Sequence, residues 1–335
     1  MSILTKKSVL VTGGTGSIGT ALVKKAITDK AKLIRVFSND ENGLYEMESE
    51  FGNYKNIEYV IGDIQNEEIV AEIVKNIDII FHAAALKHVD RCELNPLETI
   101  NVNIMGTKNI VKAAQKENVQ KMIFISTDKA VNPIGVMGAT KLLGEKLISA
   151  ESSRKSNTIF ASVRFGNVFN TRGSILPRIE NQISNGGPII LTNPDMKRFF
   201  MTKDESVNLI ISATTLAKGG ETFVLKMPLI RLEDLFDAMK DILSKKYGYN
   251  PSAIKTKIIG TRPGEKLIEY LLTEFEMDNV LETEDFFIIP SLNVSVKSYP
   301  KAKKPNETQS YFKEMKTLSK KEIISILKQI YKSSI

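Results

Sequence analysis

Short apolar runs alternate with segments of helical period from the first residues onward. "SVLVTG" precedes the helical "SIGTALVKKAITD", which leads into "KLIRVFS". "IEYVIGD" is followed by "EEIVAEIVKN", and "DIIFHAAA" by the long helical "LETINVNIMGTKNIVKAAQKEN". "KMIFIST" and "TIFASVRFGN" then flank a further helix carrying "GATK". Strands that are apolar throughout, spaced by helices, predict a parallel sheet covered on both faces. That is the Rossmann-type doubly wound α/β pattern, whose ligands sit at the carboxyl ends of the strands.

Beyond about Asn167 the alternation loosens. "PIILT", "ETFVLK" and "IKTKIIG" read as strands among helices such as "RLEDLFDAMKDILSKKYG". The expected organisation is a nucleotide-binding domain over residues 1–167 and a smaller C-terminal α/β substrate domain over 168–290, with some later segments returning to the first sheet. A tail over 291–335 completes the chain. Within it Ser319 and Glu322 have capping-box spacing, and Ile323, Ile326, Leu327 and Ile330 form one apolar stripe. An amphipathic helix docked on the body or on another subunit is expected there.

Composition narrows the picture. Apolar residues make up 42% of the 335, ample for a buried core, and 25% are charged. No run approaches the roughly 18 apolar residues of a spanning helix, and the first strand begins too early for a signal peptide. A cytoplasmic protein without a membrane partner is expected. The lone Cys92 excludes an intramolecular disulfide, and with only His82 and His88 as histidines no metal site is expected. The formal charge of +7 comes from lysines scattered through helices and concentrated in the tail. Aromatics are not interleaved with them as in a stacking platform, which argues against nucleic acid. Solvated faces and attraction to an anionic small molecule account for the charge.

Candidate chemistry starts in "VTGGTGSIG", directly after one strand and before one helix. Gly13 permits the tight turn, Gly16 lets the backbone approach a pyrophosphate, and Gly19 allows close helix–strand packing. Thr15, Ser17 and Ile18 complete the loop, and the helix N-terminus offers unpaired N–H groups to phosphate. The second strand ends at Ser38, Asn39 and Asp40. A neutral tip at Ser38, where an NAD site usually carries an acid, favours NADP over NAD. Asp63 and Ile64 end the third strand where adenine would lie, and Ala83 and Ala85 leave room for the cofactor beside the fourth. The fifth strand delivers Thr127, Asp128 and Lys129 to its carboxyl end, an acid and an amine side by side for proton transfer. Lys141 follows Met137 at i+4, so both face one side of a helix, the lysine towards a nicotinamide ribose and the thioether nearer the ring.

Together "TGGTGSIG", "HAAALKHVD", "ISTDKAVNP", "GATK", "RFGNV", "RGSILP", "RFFMT" and "RPGEKL", in that order, resemble the UDP-N-acetylglucosamine 4,6-dehydratases. These belong to the polysaccharide-biosynthesis, CapE-like group of extended short-chain dehydrogenase/reductases. The resemblance covers roughly residues 6 to 290. It implies that Asp128 and Lys129 carry the elimination, that Thr127 lies beside the sugar and that Lys141 holds the cofactor ribose. Asn167, Ser174 and Thr192, the last residue of "PIILT", would contact substrate, and Arg198, Arg262 and Glu265 would surround the UDP, as suits guanidinium forks. Lys87 would face substrate or nicotinamide. Two departures stand out. Where soluble relatives on the pseudaminic acid route carry tyrosine this chain has Met137, as the CapE-like members do. Where many relatives have arginine it has Asn39.

The implied reaction uses a tightly bound, recycled NADP. Hydride leaves C4 of the sugar, the C5 proton becomes acidic, a base removes it, and water departs from C6. Hydride then returns to C6, giving a UDP-4-keto-6-deoxy sugar for surface glycan or nonulosonic acid synthesis. The Asp–Lys pair resembles members that invert C5. A thioether has no proton to give, so the O4 proton must go to Asp128, to Thr127 through water, or to water near Lys141. Asp128 is favoured, because a carboxylate that accepts at O4 becomes the acid needed at C6. Release of a 5,6-ene sugar nucleotide and a UDP-sugar 4-epimerase are the alternatives, and a homo-oligomer is expected.

Overall fold

The structure, a computed structural model, describes residues 2–152, 156–291, 298–299, 301–303 and 317–331. Its first half runs β1 (Ser8–Thr12), α1 (Ser17–Thr28), β2 (Leu33–Ser38), α2 (Glu41–Phe51), β3 (Ile57–Ile61), α3 (Glu67–Val74) and β4 (Ile79–His82). Two short helices follow, α4 (Val89–Leu94) and α5 (Pro96–Ile100), then a π-helical turn over Asn101–Gly106 that continues into α6 (Thr107–Lys116). β5 (Lys121–Thr127) passes through a 3₁₀ turn at Asp128–Ala130 to α7 (Val136–Ser152) and β6 (Ile159–Phe165). Strand order β3-β2-β1-β4-β5-β6 is parallel throughout. The direction of winding reverses between β1 and β4, which opens a crevice at their carboxyl ends.

The second half contains β7 (Asn167–Val168), α8 (Ile175–Ser184), β8 (Ile189–Leu191), β9 (Lys197–Met201), α9 (Lys203–Leu216), β10 (Thr222–Leu225), β11 (Leu229–Arg231) and α10 (Leu232–Lys246). β12 (Thr256–Ile258), α11 (Glu274–Met277), β13 (Leu281–Glu282), β14 (Phe286–Ile289) and α12 (Lys320–Ile330) complete it. β10 returns to the main sheet parallel to β6, and β14 and β13 extend that edge antiparallel. The remaining strands form two small sheets, β11-β9-β7 and β12-β8.

Alternation along β1 shows how the sheet is covered. Val9 and Val11 enter a core with α1 and α9, whereas Leu10 enters the opposite core with α3 and α6. A further core gathers residues from Phe169 to Tyr331, around α8, β8, α10 and α12. α12 starts at a capping box formed by Ser319 and Glu322 and lays fully buried Ile323 and Leu327 against α10. Ile326 and Ile330 are half-buried beside them.

Candidate active site

Two adjoining cavities open at the carboxyl ends of the main sheet. The first, of about 460 Å³, runs along the switch-point crevice and is lined by Gly13, Thr15, Gly16, Ser17 and Ile18. Ser38, Asn39, Asp63, Ile64, Ala83 and Ala85 continue the same wall. Gly13 has φ 65°, and a Cβ there would lie 2.7 Å from Ala84 backbone, so only glycine lets this turn close on β4. Gly16 caps α1 without a side-chain acceptor, leaving the first-turn amides for a ligand. Such a cradle fits the pyrophosphate of a dinucleotide. Ser38, expected free at the strand tip, is engaged: its Oγ lies 2.8 Å from Thr15 Oγ1 and accepts from the Asp40 amide at 3.2 Å. Asp40 caps α2 through the Gly43 amide and pairs with Arg172 at 3.0 Å. The Gly43 bond first, then Arg172, hold its carboxyl below the usual range against the opposing effect of burial.

A buried polar chain ties this wall to α7. The His82 ring stands between Thr12 Oγ1 (2.7 Å) and Thr107 Oγ1 (2.9 Å). Thr107 donates to the Asn103 carbonyl at 2.7 Å, so its oxygen receives the His82 Nε2 proton. The Asn103 amide grips both backbone groups of Leu86 and donates to Thr140, which donates to the Met137 carbonyl. Burial, helped by the Lys141 charge, lowers His82 to about 3, so the ring is neutral. Neither His82 nor Asn103 was singled out by sequence reasoning. A polar residue facing the core of the "NVNIMGT" run was the available signal.

Met137 lines the first cavity and is 4% exposed. Lys141, on the same face of α7, donates to the Ile125 carbonyl at 2.9 Å and sits 4.6 Å over the Phe124 ring. Burial lowers it to about 8 although Glu145 pulls the other way. Thr127 and Lys129 line the groove, but Asp128 is fully buried behind them and lines neither cavity. Its Oδ1 accepts from Thr127 Oγ1 at 3.0 Å and Lys129 Nζ at 2.9 Å, while Oδ2 has no hydrogen-bond partner. Gly166 leaves the space: a Cβ there would stand 2.9 Å from Asp128 Oδ2.

The second cavity, of about 340 Å³, is lined by Asn167, Ser174, Thr192, Arg198, Arg262 and Glu265. Lys87, Lys129 and Asn167 line both cavities, so the two meet there. Ser174 opens α8 with its Oγ buried and unpartnered, and Arg172 and Arg178 line the same wall. Asn167 donates to the Phe199 carbonyl at 3.0 Å. Arg198, expected to face a diphosphate, has its guanidinium on backbone carbonyls: Lys197 and Leu267 from Nη1, Lys266 from Nη2 at 2.6 Å. It pins the "RPGEK" segment to β9. Arg262 and Glu265 pair loosely at 4.0 Å. Glu269, which sequence reasoning passed over, lines this cavity too.

The parallel sheet, the glycine turn at its switch point and the lysine-bearing helix define the extended short-chain dehydrogenase/reductase fold. The chain belongs to the polysaccharide biosynthesis protein family, which matches residues 9–291. It is 48% identical over 326 residues to an uncharacterized membrane protein of Methanocaldococcus jannaschii, covering 97% of this chain and 96% of that one. Among the described residues here, no helix is long and apolar enough to cross a membrane. A protein of Rickettsia canadensis named UDP-glucose 4-epimerase is 39% identical over 290 residues, covering 85% of this chain and 83% of its own. The X-ray structure of Pen from Bacillus thuringiensis matches with a TM-score of 0.89 at 41% identity, covering 97% of this chain and 98% of that one.

Proposed function

We propose that the protein is an NADP-dependent UDP-N-acetylglucosamine 4,6-dehydratase of surface-glycan synthesis. The observation that carries this reading is Lys129 where the cavities meet, ion-paired with the buried Asp128 behind it and beside a Met137 that has no proton to give. A nicotinamide dinucleotide in the first cavity would supply a hydride acceptor at sugar C4, regenerated within each turnover. The amides of α1 and Ser17 bind its phosphates, and Lys141 orients its ribose. The N-terminus of α8, Ser174, Arg178 and Arg262 hold the UDP diphosphate.

Asp128 stands too deep to meet the sugar, so the O4 proton reaches it through Thr127. The Thr127 hydroxyl already donates to Asp128, and Thr127 lines the groove. Taking the proton from O4 and passing its own inward leaves Asp128 protonated and ready to assist departure of the C6 hydroxyl. Lys129 removes the proton at C5. Met137 would pack against the edge of the ring and the sugar without separating them.

A UDP-sugar 4-epimerase is the second reading, favoured by the name of the Rickettsia canadensis relative. Incubation with UDP-N-acetylglucosamine, followed by mass and proton NMR of the product, separates the two. Loss of one water with a new C6 methyl signal is expected. A product of unchanged mass with an inverted C4 proton would defeat the dehydratase reading, and an exocyclic alkene signal would mean release before the hydride returns.

A further inference from the structure

A buried carboxylate faces Lys129 from outside the motifs that marked the site. Glu269 is 3% exposed and lies on the irregular stretch between β12 and α11. Its Oε1 is 3.9 Å from Lys129 Nζ on the wall of the second cavity. Its Oε2 is buried without a hydrogen-bond partner, with the Lys266 ammonium at 3.5 Å. Lys266 is itself turned to the Val131 carbonyl, which ties Glu269's segment to the loop that follows Asp128 and Lys129. Buried carboxylate oxygens are ordinarily hydrogen-bonded. Here Oε2 is left to the Lys266 ammonium alone, and Oε1 is turned towards Lys129 on the cavity wall, within an ion-pair distance that a small side-chain movement would close.

We propose that Glu269 is the acceptor that neutralises Lys129, a positioning residue acting through that lysine; the proposal rests on the dehydratase reading. Lys129 can take the C5 proton only as the free amine. Its neighbour Asp128 cannot relieve it, because Asp128 is required as a carboxylate for the O4 proton. Glu269 is the other carboxylate in reach of Lys129 Nζ. One N–H bond of Lys129 breaks and one O–H bond forms on Glu269, turning ammonium and carboxylate into amine and carboxylic acid with no change in net charge.

The amine then takes the C5 proton while the C5–H electron pair forms the enolate of the C4 ketone. The enolate collapses, the C6–O bond breaks, and a proton from Thr127, replaced by the one on Asp128, completes the departing water. Once C6 is reduced, C5 takes a proton from solvent on the face opposite Lys129, as inversion requires, and Lys129 remains an ammonium. Glu269 then gives its proton to solvent when product leaves, which restores the starting ion pair. Asp128 and Lys266 pair with these two groups, and Lys87, Asp90, Arg172, Arg178, Arg198, Arg262 and Glu265 are the other charged residues that line the cavity among the described residues.

The test uses the holoenzyme in heavy water with UDP-N-acetylglucosamine, comparing wild type, Glu269→Gln and Glu269→Asp. Glu269→Gln should bind UDP normally by calorimetry and reduce its bound nicotinamide within about threefold of wild type in a single turnover. Its deuterium uptake at C5 and its water loss should fall about 100-fold at neutral pH. Both should recover about tenfold per pH unit on raising the pH, as Lys129 sheds its proton to solvent instead. Glu269→Asp should restore part of the neutral-pH rate. Deuterium uptake by Glu269→Gln at the wild-type rate sinks the proposal. So does an equal loss of nicotinamide reduction and deuterium uptake with no recovery at higher pH, the signature of a merely structural carboxylate. If the wild type itself loses no water and takes up no deuterium, the dehydratase reading falls first and takes the role of Glu269 with it.

Discussion

His82 and Lys141 show how burial at single residues sets the conditions under which this site holds together. The folded His82 is held at about 3, below the ordinary value near 6.5. The unfolded chain therefore binds the extra proton between those values. Stability that is complete above pH 6.5 should be lost at about 1.4 kcal/mol per unit as pH falls towards 3. Denaturant unfolding of wild type and His82→Gln across that window checks this; parallel pH slopes would mean His82 is not the group. Lys141 is lowered to about 8, so its charged form weighs on the fold below that pH and the burden fades as pH rises towards the unfolded value near 10.4. The burden is about 3 kcal/mol at neutral pH, and losing the bond to Ile125 offsets about half of it. Lys141→Met should thus gain roughly 1–2 kcal/mol in urea unfolding at neutral pH, and lose that gain at pH 10, while cofactor affinity drops. A variant less stable than wild type at neutral pH would refute the desolvation account. Residue types and strand ends made Asp128, Lys129 and Lys141 legible in the sequence. What was not legible is where each side chain's polar atoms turn: Asp128 inward behind Thr127, Arg198 onto carbonyls, Glu269 towards Lys129. For Arg198 and Glu269 those orientations depend on segments more than 60 positions away, the "RPGEK" stretch against β9 and the strand end that carries Lys129.

Among the elements, the parallel strands and their covering helices follow from local pattern, because burial on both faces demands continuous apolar runs. α12 was legible for a related reason: a capping box and an apolar stripe at helical spacing coincide. Its stripe is nonetheless unequal, with Ile323 and Leu327 fully buried and Ile326 and Ile330 half-buried. Leu327→Ala should cost about 2–4 kcal/mol, and Ile330→Ala less than half of that. Equal losses in denaturant unfolding would show that α12 is only loosely seated on α10. The π-helical turn at Asn101–Gly106 was not legible, since one extra residue in a long helix barely disturbs its apolar period. It carries Asn103, the residue that joins Leu86 to α7. β8 and β12 lie in "PIILT" and "IKTKIIG", which read as strands, whereas β7, β11 and the hairpin strand β13 are two or three residues long, too short for a local pattern to distinguish them from loops.

At the scale of the whole molecule, one loop joins the two cavities. Between β7 and α8 the chain turns through Asn170 (φ 51°) and Gly173 (φ 73°), with Thr171 lining both cavities and Arg172 lining the second. The Arg172 amide donates to Ser17 Oγ at 2.8 Å, its carbonyl receives Lys87 Nζ at 3.0 Å, and its guanidinium pairs with Asp40 at 3.0 Å. The contacts reach α1, α2 and the segment after β4, while the next residues open α8 in the second cavity. A dinucleotide seated along the switch point would lie beneath this strap, which suits a cofactor that is recycled and not exchanged each turnover. The guanidinium is 63% exposed, so its ion pair is worth at most about 1 kcal/mol and is screened by salt. Arg172→Ala should therefore speed release of reduced nicotinamide cofactor up to about fivefold at low salt, with the difference shrinking as salt rises. Unfolding free energy should stay within about 0.5 kcal/mol, because the loop's backbone contacts survive the substitution. Ser17→Ala removes one of those contacts and should add to the effect. Release is read from the fall in bound-cofactor fluorescence after dilution into excess oxidised cofactor. Identical low-salt release rates for wild type and both variants would show that the loop merely borders the groove and does not hold its contents.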